Sequence, residues 1–169
     1  MAVVERSAAK PVARYLLALR PVLQYAIASR ETWLREIGAL LEDVREGNIA
    51  QAKHDASRIG RERVGQFREC RTAIGQLRPP PQCAACHRAV TLWLDQLIAV
   101  CQLIEAVSRS GDMPRLGQIE DLLGESRIQA RRFNGEYARL TGDLRAVVQS
   151  PAPARPRSIG PRFGAALAG

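Results

Sequence analysis

The chain has 169 residues, enough for one buried core and too few to expect two. Hydrophobic residues make up 46% of it and aromatics 5%, with Ala and Leu prominent, which excludes a wholly disordered chain and suits helices better than sheets. The formal charge is +8, carried by 23 Arg and two Lys, but Arg155, Arg157 and Arg162 lie in an acid-free tail and leave the body only about +5, mild for a nucleic-acid binder.

No stretch approaches the ~20 uncharged residues of a membrane span. The apolar run from Tyr15 to Ala28 is interrupted by Arg20 and Pro21 and lacks a small-residue cleavage site, so it does not make an export signal. The expectation is a cytoplasmic protein without a membrane partner.

A first helix is expected from about Pro11 to Glu46. Leu16, Leu19, Leu23, Ile27, Leu34, Ile37, Leu41 and Val44 recur at mostly helical spacings, and Pro21 kinks or restarts it. Gly47-Asn48 reads as a stop followed by an N-cap. The second segment, Ile49 to Arg78, carries the stripe Ile49, Ala52, Ala56, Ile59, Phe67, Cys70, Ile74 and Leu77, and Pro79-Pro80-Pro81 ends it.

The third, Cys83 to Ser110, aligns Cys83, His87, Val90, Leu94, Leu97, Cys101 and Ile104. Gly111-Asp112 stops it and caps the next, with Pro114 in the following turn. The fourth, to about Val148, uses Leu116, Ile119, Leu123, Ala130, Phe133, Tyr137, Leu140, Leu144 and Val147. Short links predict antiparallel neighbours. The expected fold is all-α: an antiparallel up-down-up-down four-helix bundle over residues 1–148, with a disordered, flexible basic tail of Pro and Arg over 149–169.

The chemistry-bearing motif is Cys83-Ala84-Ala85-Cys86-His87, a C-x-x-C-H pattern. Counting outward from the proline turn places Cys70 opposite about residue 91, an axial offset of roughly 6 Å from His87. Cys70, Cys83, Cys86 and His87 then converge as a Cys3His set suited to zinc, with the helix dipole favouring thiolates. Cys101 lies roughly 21 Å further along and is excluded. A disulfide joining Cys83 to Cys86 or Cys70 is a further option. The bland alternative makes Cys70, Cys83 and Cys101 small core hydrophobes and satisfies His87 with Glu136 or Tyr137.

These five residues resemble the haem-attachment motif of c-type cytochromes, which have four-helix members. That resemblance implies covalent haem on Cys83 and Cys86 with His87 as axial ligand. The chain departs from the four-helix members in carrying the motif in its third helix rather than its last.

Arg58, Arg61, Arg68, Arg71 and Arg78 fall on one shoulder of the second helix, able to meet phosphates or to trade charge with Glu36, Glu42, Asp43 and Glu46. Di-iron pairs, Ser-His-Asp order, phosphate loops and His-Glu-x-x-His are absent. The expected function is therefore a non-enzymatic adaptor or regulatory subunit acting through protein–protein interaction. It requires no cofactor, with a structural metal or thiol site as an option. A partner protein or a second copy would bind it, and nucleic acid only weakly and non-specifically. One alternative is a haem or metal protein using Cys83, Cys86 and His87; the second is an RNA- or ribosome-associated basic protein.

Overall fold

The computed structural model describes residues 6–150; the expected tail beyond Ser150 lies outside the described residues. Four long helices pack against one another there, no strand occurs among the described residues, and the chain is all-α as its periodicity predicts.

Helix α1 runs from Arg6 to Arg45 without a break, although Pro11 and Pro21 lie inside it. Pro21 removes one helical hydrogen bond, but it sits on the solvent side near exposed Leu17, where water can satisfy the freed carbonyl. Beyond Pro21 the buried face runs through Ala26, Trp33, Ile37 and Leu40, so the expected core residue Ile27 is exposed instead. Gly47 ends the helix with φ 80°, and Gly111 ends the third helix with φ 75°, both left-handed stops that glycine adopts without strain. Asn48 and Asp112 do not cap the helices that follow; Asn48 Nδ2 donates to Glu46 Oε2 at 3.2 Å.

Helix α2 spans Ile49–Gln76 and buries the expected stripe except Ile49, which is exposed, and Leu77, which is half-buried just past its end. Phe67 meets the ring of Trp33 edge-on, with centroids 5.3 Å apart. Helix α3 spans Ala84–Ser110, and a 3-10 turn over Met113–Gly117 leads into α4, Gln118–Gln149. Helix α3 is the central element, packed along α2 on one side and α4 on the other, while α1 lies mainly against α2.

Gly60 permits the closest α2–α3 approach: a Cβ there would stand 2.9 Å from the Glu105 backbone nitrogen and 3.1 Å from the Cys101 carbonyl oxygen. The stretch Pro81–Ser110 is long and apolar enough to cross a membrane by length and composition. Its apolar residues serve two packing faces, which is what a central core helix requires.

Charge is traded between α1 and α2 as expected. Glu36 accepts hydrogen bonds from Arg63 Nε and Nη2, both at 2.8 Å, and from Arg58 Nη1 at 3.3 Å.

Candidate functional site

The triple proline shapes the motif. Leu77 leaves α2 in extended conformation, and Pro80 (φ −64°, ψ 158°) continues extended. Pro81 then opens a 3-10 turn over Pro81–Cys83, closed by a 2.8 Å bond from Cys83 N to the Pro80 carbonyl. Because Cys83 immediately precedes α3, Cys83 and Cys86 fall one turn apart on its inner face, and both are fully buried.

His87, one residue on, is half-buried and turns toward α1. Its Nδ1 lies 3.0 Å from the Tyr15 hydroxyl, and the two rings are tilted with centroids 6.1 Å apart. Burial lowers the His87 pKa and the nearby Arg71 guanidinium lowers it further. Burial raises the Tyr15 pKa, with Cys86 and Cys83 adding to the effect. Both shifts favour the neutral forms, and a single hydrogen bond joins the hydroxyl to the imidazole. The expected partners Glu136 and Tyr137 do not serve His87: Glu136 is taken by Arg139, and Tyr137 packs on Phe133.

Arg139 braces the motif from α4. Its Nη2 donates to Glu136 Oε2 at 2.8 Å and to the Gln82 carbonyl at 3.3 Å, and Nη1 donates to Asp143 Oδ2 at 3.2 Å. A helix start was expected to favour thiolates, yet burial dominates. It pushes Cys83 up to about 11 despite Arg139, and Cys86 up to about 12, with Cys83 and Glu136 adding to the shift. All four cysteines are free thiols, so no disulfide joins Cys83 to Cys86 or Cys70.

The Cys3His set is not assembled. Among the described residues no three His, Cys, Asp or Glu side chains are gathered to hold a metal ion. Cys70 instead lines a groove with Pro21, Val22 and Tyr25. Gly60 abuts Cys101 and Glu105, and Arg71 Nε bonds Asp95 at 2.8 Å. This register sets Cys70 near Trp93, roughly 9 Å along the axis from His87. The extended residues of the turn are the reason: backbone like that of Leu77 and Pro80 advances about 3 Å per residue against about 1.5 Å in a helix, which lengthens the α2 side and displaces the register that a simple hairpin count assumes.

Two clefts flank the motif. One, of about 600 Å3, lies between α1 and the proline segment, and its lining includes Lys10, Arg14, Tyr15 and Arg78. The other, of about 350 Å3, lies between α3 and α4 and includes Arg88, Leu92, Arg131 and Arg132. Neither Cys83 nor Cys86 lines either cleft.

The arginine shoulder is partly neutralised, with Arg58 bound to Glu36 and Arg71 to Asp95, while Arg61, Arg68 and Arg78 make no ion pair among the described residues. Tyr15 is the residue that reading the sequence missed. A phenol inside the apolar run Val12, Leu16 and Leu19 signals a buried hydroxyl that needs a partner. No protein-family model matches the chain, and neither a curated protein nor a solved structure matches it.

Proposed function

We propose that this protein is a non-enzymatic adaptor or regulatory subunit that binds an acidic protein partner. The helices are read as an antiparallel up-down-up-down bundle, a topology supported by the Tyr15–His87, Glu36–Arg63, Arg71–Asp95 and Arg139–Gln82 contacts. On that reading residues 6–29, 66–97 and 124–149 share one half of the bundle. They carry thirteen Lys and Arg against five Asp and Glu, whereas residues 30–65 and 98–123 carry nine against eleven.

This lengthwise segregation of charge is the observation that carries the proposal. A cationic half facing a mildly acidic one steers and orients an acidic partner. Among the described residues, six of the seven exposed large hydrophobics also fall in the cationic half: Leu17, Tyr25, Ile27, Leu92, Ile128 and Val148. Arginine beside apolar and aromatic side chains is the composition of binding surfaces. Cys83, Cys86 and His87 act in this reading as packing residues that fix the proline turn.

The test is purification of the full chain from its native host under low salt, followed by cross-linking mass spectrometry, absorption spectroscopy and metal analysis. The expected result is a stoichiometric protein partner cross-linked to the cationic half and lost on Arg131→Glu/Arg132→Glu. A Soret band or stoichiometric zinc would replace this reading with the haem or metal protein. Recovery of RNA in place of protein would favour the nucleic-acid alternative.

A further inference from the structure

The larger cleft has the makings of a small-molecule site. Lys10, Arg14 and Arg78 line it, and among the described residues no carboxylate does and none of the three makes an ion pair. Six cations elsewhere, Arg45, Arg58, Arg63, Arg71, Arg109 and Arg139, each sit within 4 Å of a carboxylate; among the described residues others such as Arg61 and Arg68 are unpaired too, so what sets these three apart is that they share one concavity. Relief is not at hand along the helix either, since residues 6–30 contain no Asp or Glu. Three cations around one concavity repel one another unless an anion enters.

The rest of the lining says what kind of anion. Pro79 and Pro80 form a wall whose backbone is held by the pyrrolidine rings, and Tyr15 adds an aromatic surface whose hydroxyl is already committed to His87. Rigid apolar walls bind without an ordering cost, and about 600 Å3 lies within the range that holds small organic ligands.

We propose that this cleft binds an organic anion, a ligand that joins two or more negative charges to an apolar or aromatic body. Lys10, Arg14 and Arg78 receive the charge, and Tyr15, Pro79 and Pro80 receive the body. The second cleft is the natural control. It also holds unpaired arginines, but it is smaller and Glu136 lies in its lining. This inference stands apart from the protein-interaction proposal, because it concerns a different ligand at a defined concavity.

The experiment titrates the full chain with 1-naphthyl phosphate, followed by its fluorescence and by calorimetry. Inorganic phosphate and 1-naphthol serve as the separate halves of the probe. The expected result is saturable one-to-one binding, at least tenfold tighter than either half alone. Arg14→Gln/Arg78→Gln should weaken it at least tenfold, and Arg132→Gln in the other cleft should leave it unchanged. All of these positions are exposed, and a thermal melt confirms that each variant folds. Absence of saturation at millimolar probe would overturn the site. So would equal binding of 1-naphthol, which marks an apolar patch alone, or an equal loss in Arg132→Gln, which marks diffuse charge.

Discussion

The Tyr15 hydroxyl and the His87 imidazole, 72 residues apart in sequence, form a 3.0 Å hydrogen bond that fastens α1 to the C-x-x-C-H turn. Tyr15 is buried and His87 half-buried, so the bond is shielded from competing water. Tyr15→Phe keeps the ring and removes the hydroxyl, leaving Nδ1 without its partner. The expected loss is about 0.5–1.5 kcal/mol, read from the denaturant midpoint.

The same pair gives a pH signature. Burial and Arg71 lower the His87 pKa in the native state, while the unfolded chain titrates near ~6.5. Between these values the unfolded chain binds more protons, so this contribution to stability is intact above ~6.5 and declines as pH falls through and below it. His87→Gln should flatten the limb between pH 5 and 7. An unchanged limb would mean that His87 is not held neutral.

Gly60 tests the central helix contact. Gly60→Ala forces a Cβ into the Glu105 backbone, where neither helix can yield cheaply, and overpacking of this kind costs about 1–3 kcal/mol. Gly65, in the same helix, has nothing within 4 Å of its would-be Cβ. Gly65→Ala should therefore stabilise by up to about 1 kcal/mol through helix propensity. Opposite signs from two identical substitutions, compared in thermal melts, separate close packing from propensity.

Much of the fold could be read from the sequence, because helical periodicity and punctuation are local signals. Gly47 and Gly111 stop their helices where expected, and all four helices end within two residues of expectation, although the first begins five residues earlier than expected. What failed depended on contacts between distant segments. The Cys70 register required the extended conformation of the prolines, which a residue count treats as a tight turn. The shift of the buried face from Ile27 to Ala26 and Trp33 is fixed by α2, through Phe67. At the candidate site, Cys83 was legible as inward-facing from its stripe, but the full burial of Cys86 and the choice of Tyr15 over Glu136 for His87 were not. Arg139 had already claimed the carboxylate, and nothing local to His87 records that.

Glu36 is the hub of the α1–α2 charge contact. The Arg63 hydrogen bond is the main reason its carboxyl titrates below the usual range, with burial opposing and Arg58 assisting. Glu36→Gln leaves Arg63, only 14% exposed, with weaker acceptors, and should cost about 1–3 kcal/mol near pH 7. A carboxyl lowered on folding contributes stability above its unfolded value of ~4.3, and that contribution is lost as pH falls below it. Wild type and variant should therefore converge between pH 5 and 3 in urea titrations. A gap that stays constant down to pH 3 would remove the charge from the explanation.

The buried thiols predict the opposite limb. Unfolded cysteines ionise near ~8.5, whereas burial holds Cys83 at about 11 and Cys86 and Cys101 at about 12 in the native protein. Above ~8.5 the unfolded chain releases protons that the folded chain retains, so stability should fall steadily from there toward pH 11. Denaturant midpoints between pH 7.5 and 10.5, measured with a phosphine reductant, should show this decline. Cys83→Ala/Cys86→Ala should start lower, because buried side-chain atoms are lost, and should decline less steeply, because two of the ionising groups are gone. A thiol-reactive disulfide reagent should label none of the four cysteines rapidly in the native state and all of them after unfolding. If Cys83 and Cys86 were instead thiolates in the folded protein, as a metal or redox site requires, they would react first, and the wild-type decline would be no steeper than that of the double variant, to which Cys70 and Cys101 alone contribute. The slope therefore distinguishes a packed cysteine pair from a reactive one without reference to any cofactor.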